Sequence, residues 1–279
     1  MKIKEAEAIT HTLSKPGKMP GFAYSTPAHE CKTGTKLRAV AGSVCANCYA
    51  YKRGRYRFQN VIDAQYKRFR NGTNKNIISM KIKEAEAITH TLSKPGKMPG
   101  FAYSTPAHEC KTGTKLRAVP NSVCSNCYAY ERGRYRFQNV KDAQYKRFEA
   151  LKHPLWATAM ALQINSKKVK YFRWHDSGDV QNLDHLNKIY EVCRLSPDVK
   201  HWMPTREAWV KDHLASCPDN LIVRLSAPMI DQPAPSSWVH TSTVVTSGRT
   251  CPAPDQGNVC GSCRACWDKD IKNIAYGEH

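Results

Sequence analysis

Val169 to Thr205 reads VKYFRWHDSGDVQNLDHLNKIYEVCRLSPDVKHWMPT. Its opening, VKYFRWH, is an apolar and aromatic run closed by the turn chemistry of Asp-Ser-Gly-Asp, which is how a strand reads. LDHLNKIYEVCRL (183–195) then places Leu183, Leu186, Ile189, Tyr190 and Cys193 on one face of a helix. KHWMPT (200–205) reads as a second strand, so the stretch is one βαβ unit with parallel strands. Outward from it, AWVKDHLAS predicts a helix, LIVRLSA (221–227) a buried strand and HTSTVVT another. On the N-terminal side GFAYSTP (100–106) reads as a strand, and residues 139–152 as a helix. PLWATAMALQI follows as a second helix, with Pro154 at its first position. This alternation predicts an α/β protein, an open or partial parallel (βα) barrel. Function in such folds gathers in the loops after the C-terminal ends of the strands. Four such loops are expected to face one mouth. They carry Cys110, Cys124 and Cys127; His175 to Asp179; Thr205, Arg206 and Glu207; and Ser226 to Pro228.

The chain has 279 residues, 41% of them hydrophobic, and 12 cysteines, enough for a real core and too apolar for wholesale disorder. No apolar stretch follows Met1, and no run approaches the roughly 18 residues of a membrane span. A cytoplasmic protein with reduced thiols and no membrane partner is therefore expected. A net charge of +20 points to an anionic partner such as nucleic acid. That charge is inflated by an internal repeat. Residues 1–69 repeat residues 80–148 with five differences, Ala41/Pro120, Gly42/Asn121, Ala46/Ser125, Lys52/Glu131 and Ile62/Lys141, after which the two copies diverge abruptly. Two near-identical copies with a sharp break look like a recent duplication or a joining accident, since stacked repeat arrays carry three or more units. Residues 80–279 are expected to be the complete α/β unit, and 1–79 a duplicated segment that is no independent domain. The 200-residue unit keeps a net charge of +9 and nine cysteines.

Those cysteines fall into patterns. Cys251-x8-Cys260-x2-Cys263-x2-Cys266 resembles the thiolate spacing of ferredoxin-type iron–sulfur sites, whereas structural zinc sites more often join two separated C-x2-C knuckles. Cys110-x13-Cys124-x2-Cys127 offers three thiolates, which on a four-iron cluster would leave one iron open. The alternatives are zinc, including a site built from Cys124, Cys127, Cys260 and Cys263, or no metal. Cys193, on an apolar helix face, reads as core.

WHDSGD brings an imidazole and two carboxylates to a strand end. His175 could move a proton, with Asp176 or Asp179 orienting it; the competing reading is turn and helix-cap chemistry. Arg206 could fork onto a carboxylate or phosphate, or form a surface ion pair. RGRYRF (132–137) mixes arginines with Tyr135 and Phe137, as phosphate contacts and base stacking require, although a solvated basic face is the commoner use of such a run. No phosphate loop, GxGxxG or HExxH pattern is present.

FAYSTPAHEC, CSNCYA, YFRWHDSGDV, HWMPTRE and CGSCRACWD together resemble the phage-encoded gene product 88 family over nearly all of residues 80–279. That resemblance implies a phage protein acting in an infected host cell, and carries no biochemical activity with it. The cysteine turn after a first strand is also similar to radical S-adenosylmethionine enzymes. It implies a radical-SAM-like iron–sulfur enzyme with one or two 4Fe–4S clusters. Cys110, Cys124 and Cys127 would hold the open cluster, and Cys251, Cys260, Cys263 and Cys266 a closed one. His175, Asp176, Asp179 and Arg206 would line the substrate mouth. Gly178 and Asp179 would meet the amino acid moiety of S-adenosylmethionine. In those enzymes three residues, and here thirteen, separate the first two cysteines. The alternative is a non-catalytic, zinc-bound module that binds nucleic acid or a protein partner through RGRYRF; the substrate is a small molecule or a nucleic acid of unknown identity.

Overall fold

The computed structural model describes residues 31, 36–41, 43–48 and 80–278. The chain divides into two units, Met1–Ser79 and Met80–His279. In the first, Ser43 caps a 3-10 turn over Val44–Asn47; the expectations for the rest of residues 1–79 lie outside the described residues.

The second unit is α/β. Its strands are β1 (Phe101–Tyr103), β2 (Tyr171–Trp174), β3 (Lys200–Thr205), β4 (Leu221–Ser226), β5 (Thr241–Val245) and β6 (Asn273–Gly277). Its helices are α1 (Ile82–Thr89), α2 (Lys111–Leu116), α3 (Gln138–Ala150), α4 (Trp156–Ser166) and α5 (Leu183–Leu195). All six strands are parallel and lie side by side in chain order. Doubly wound sheets reverse their order part-way and so carry helices on both faces. Here every crossover steps in one direction, and right-handed connections then keep the helices on one face. The outcome is an open parallel α/β sheet with no β1–β6 pairing among the described residues.

Side chains sort across the sheet by the two-residue period. Tyr103, Phe172, Trp174, Met203, Leu221, Val223 and Leu225 meet the helices. There they pack on Trp156, Met160 and Ile164 of α4 and on Leu186, Ile189, Tyr190 and Cys193 of α5. α4 is buried almost all round, because α1 covers its outer side: Gln163 Nε2 donates to His90 O at 2.9 Å. Burying a side chain of that size is worth about 1.5–3 kcal/mol. Asn182 starts α5, its side chain accepting from the His185 amide at 2.9 Å. On the opposite face the strands present Ala102, Arg173, Trp202 and Ile222 in register, with Arg224 one step further along, opposite Pro204. Among the described residues no α-helix covers that side. The segment between β5 and β6 does: Trp267 packs edge-on to Trp202 at 5.4 Å and donates from its indole to Phe172 O at 2.9 Å.

Three expected elements differ. The strand at 100–106 ends at Tyr103, because the Thr105 amide leaves the ladder to donate to Ser177 O at 3.0 Å. Residues 208–216 form a 3-10 rather than an α-helix, with Val210 their single buried side chain and so no wide apolar face. α4 begins at Trp156, two residues beyond Pro154.

Candidate functional site

The cysteine turn after β1 is encoded locally. Ser122 Oγ accepts from the Ser125 amide at 3.0 Å, and the Cys127 amide donates to Cys124 O at 3.2 Å. In the first copy Ser43 Oγ accepts from the Ala46 amide at 3.1 Å, and the Cys48 amide donates to Cys45 O at 3.3 Å. SVCANC and SVCSNC, which differ only at Ala46/Ser125, thus make the same hydrogen-bonded turn in both units, a serine hydroxyl supplying the acceptor.

In the second unit this turn is held over the strand ends. The Val123 amide donates to Pro228 O at 2.9 Å, and the Ile230 amide to Asn121 O at 3.0 Å, joining the loop after β1 to the loop after β4. Glu207, after β3, accepts from the Thr112 amide at 3.0 Å. Gly113 shows how close two of the thiols come. A Cβ there would lie 3.5 Å from Cys124 Sγ and 3.8 Å from Cys110 Sγ. Cys110 feels the charges of Cys127, Cys124 and Asp179, and Cys124 those of Arg206 and Cys127. Burial drives the Cys110 and Cys124 thiols above the ordinary cysteine range, Asp179 adding to the shift at Cys110. Arg206 eases it at Cys124. Among the described residues, no three His, Cys, Asp or Glu side chains close in tightly enough to hold a single metal ion.

Asp179 ties the mouth together. Its carboxylate accepts from Thr205 Oγ1 at 2.7 Å, the Val180 amide at 2.7 Å and the Arg206 amide at 2.8 Å. Burial outweighs these bonds and lifts its pKa to about 6. Gly178 is required by space: at φ +83° a Cβ there would lie 2.0 Å from Thr105 Oγ1 and 2.8 Å from Thr105 O. Arg206 donates to Ser226 O at 3.2 Å and Ala227 O at 2.5 Å, which turns its guanidinium toward Cys124 rather than into a surface ion pair.

Asp176 and His175 lie beneath. Arg134 pairs with Asp176 Oδ2 at 2.9 Å, and Tyr128 donates to Asp176 O at 2.6 Å. Tyr135 is buried. RGRYRF therefore forms a 3-10 turn that buries Tyr135 and sets Arg134, itself still exposed, on the buried Asp176 carboxylate, leaving Arg132, Arg136 and Phe137 outside. Asp176 Oδ1 and both ring nitrogens of His175 are buried without a hydrogen-bond partner, and burial holds His175 neutral, well below the ordinary imidazole pKa. Buried polar atoms without a protein partner are met by ordered water, a bound molecule or a chemical role.

Residues 72–242 match the Gene product 88 family, a phage family. The chain belongs to it. No curated protein and no solved structure matches. Among the described residues of this gene product 88 protein, no helix is long and apolar enough to cross a membrane.

The family match covers the cysteine turn and the strand-end residues and stops before the terminal cysteine run, short of the extent the sequence resemblance implied. In this gene product 88 chain that run lies on the helix-free face of the sheet. The Cys260 amide donates to Lys97 O at 2.7 Å, the Cys251 amide to Ala275 O at 3.0 Å, and the Cys263 amide to Cys260 O at 2.9 Å. Cys266 Sγ is 3.2 Å from the Tyr276 hydroxyl. Cys260 feels Cys251 and Cys263, and burial pushes Cys266 up to about 11. Cys124 and Cys127 group with Cys110, and Cys260 with Cys251 and Cys263. Sequence reading missed Arg173, Arg224 and Tyr276, which surround the run. A charge inside LIVRLSA, otherwise a buried strand, was the available signal.

Proposed function

We propose that this gene product 88 protein is a cytoplasmic iron–sulfur protein of the infected cell, with a radical-SAM-like enzyme activity. Cys110, Cys124 and Cys127 hold an open cluster, and Cys251, Cys260, Cys263 and Cys266 a closed one. The carrying observation is the approach of Cys110 and Cys124 to the same point beside Gly113, at the C-terminal end of β1, against Asp179 and Arg206. The unidirectional parallel sheet supports the barrel-like reading. When bound, a four-iron cluster on three thiolates offers one iron with an open position to substrate or S-adenosylmethionine. The chain's own groups do the rest. Arg206 stabilises negative charge at Cys124, Asp179 fixes Arg206 through its amide, and neutral His175 with the free oxygen of Asp176 receives a polar group of the substrate. Gly178 keeps the loop after β2 pressed on Thr105, beside the place where the cofactor's amino acid moiety would lie.

Anaerobic purification followed by iron, sulfide and EPR measurement tests this. Iron and sulfide in equal amounts, about four of each per site, are expected. Zinc without sulfide contradicts it and favours the zinc-bound binding module, for which Arg132, Arg136 and Phe137 remain exposed. Salt-dependent binding to single-stranded nucleic acid would then be the property to measure.

A further inference from the structure

Among the described residues only three aromatic side chains of Phe, Tyr or Trp stand exposed: Tyr128 at 43%, Phe137 at 51% and Tyr145 at 41%. All three fall in one stretch, from the end of the cysteine turn through the 3-10 turn Gly133–Arg136 to the middle of α3. Exposed apolar residues scattered singly need no explanation, whereas rings gathered in one stretch do. Tyr128 packs on the 3-10 turn, its ring 5.9 Å from that of Tyr135. Phe137 closes the turn at the start of α3, and Lys141 and Tyr145 follow it at successive helical turns along one stripe.

The same stretch is basic. Its exposed cations are Arg132, Arg134, Arg136 and Lys146. Its two carboxylates are occupied: Glu131 pairs with Lys141 at 3.1 Å, and Asp142 accepts from Gln138 Nε2 at 2.7 Å. Arg134 is held on Asp176, but among the described residues no ion pair engages Arg132, Arg136 or Lys146. The Arg136 guanidinium lies 5.1 Å from the centre of the Phe137 ring. A solvated basic face accounts for the arginines and leaves the rings unexplained.

We propose that Tyr128, Phe137 and Tyr145, with Arg132, Arg136 and Lys146 beside them, form a binding surface for single-stranded nucleic acid. Unstacked bases lie on the rings, and phosphates pair with the cations. The surface begins at the strand-end mouth, because the Tyr128 hydroxyl donates to Asp176 O at 2.6 Å and accepts from Arg173 Nη2 at 3.3 Å. It requires no metal at the cysteines, and so stands whether iron, zinc or neither is bound there. The six residues recur in the first copy as Tyr49, Arg53, Arg57, Phe58, Tyr66 and Lys67, so each substitution is made in both copies.

The test titrates the full chain against a fluorescein-labelled oligothymidylate of about twenty nucleotides over a range of salt. Iron, zinc and sulfide are measured on the same preparation, which separates failure of this surface from failure of the cluster reading. Affinity is expected to fall with salt, and to be about tenfold weaker at unchanged salt slope in Phe58→Ala/Phe137→Ala. Arg57→Ala/Arg136→Ala should flatten the slope by about 0.7 for each phosphate contact removed. Lys170→Ala/Lys200→Ala removes two exposed charges at the N-terminal ends of β2 and β3 and should leave the slope as it is. An unchanged urea midpoint checks that each variant is folded. A phenylalanine variant that binds like the parent, or a lysine variant that loses as much slope as the arginine one, leaves only attraction between opposite charges and overturns the proposal. So does tighter binding to phosphatidylserine vesicles than to the oligonucleotide, which would make the rings a membrane contact.

Discussion

Arg134 and Asp176 illustrate what a sequence shows of single residues and what it hides. RGRYRF reads as a basic strip, yet Arg134 is spent on a carboxylate 42 positions away that burial has cut off from solvent. No local pattern encodes that pairing. The turn around Cys124 lies at the other extreme: its serine-capped geometry forms twice in one chain, from short stretches that differ at one position. Gly178 was legible as turn chemistry, while the close approach of Thr105 that demands it was not. Gly178→Ala should therefore cost more than the ~1 kcal/mol of an ordinary glycine replacement, seen as a lower urea midpoint. Buried imidazoles supply a pH signature. His185 and His201 are pushed down to about 3, and His175 well below its usual value, in each case first by burial. Unfolded, all three titrate near 6.5 and bind protons that the fold excludes. Stability is thus fully present above about pH 6.5 and falls as pH drops toward 3, by up to ~1.4 kcal/mol per pH unit for each group. His201→Gln should remove one group's share of that slope in urea titrations between pH 4.5 and 6.5. An unchanged slope would mean that His201 is not held neutral.

At the scale of elements, the βαβ unit from Val169 to Thr205 was the most legible part. Its α5 runs over Leu183–Leu195, where the apolar period places it. β6 went unread because NIAYG is short and follows the charged DKDIK. It is a strand because β5 offers it a parallel ladder from Thr241 to Val245. α1 was missed for a related reason: its buried Ala85 and Thr89 are small, and the helix is held by packing on α4 and by the Tyr103 hydroxyl donating to Thr89 O at 2.9 Å. Met160→Ala, at the fully buried centre of α4, should destabilise the unit by about 2–5 kcal/mol. Lys167→Ala, partly exposed at its end, should change stability by less than ~1 kcal/mol. Chemical denaturation of both variants checks whether the core lies where α4 meets the sheet.

For the whole molecule, chain-order parallel strands were legible from the strand–helix alternation, since one-directional winding needs only short right-handed steps. The covering of the helix-free face by the terminal cysteine segment was not, because it depends on Arg224 and Trp267 reaching across the sheet. The internal repeat bears on this scale too. None of the five positions at which the copies differ is buried in the second unit. The second copy is tethered directly to Leu151 onward, which raises its effective concentration at the sheet. Deleting residues 1–79 should leave metal per intact site and the denaturation midpoint nearly unchanged; loss of folding would show that the first copy is integral. The central claim, an open cluster on Cys110, Cys124 and Cys127 beside a closed one on the terminal four thiolates, meets its most direct test in the iron and acid-labile sulfide content of residues 80–279 purified without oxygen. About eight of each per chain, falling to about four in Cys124→Ser, is the predicted result; stoichiometric zinc with no sulfide would contradict it.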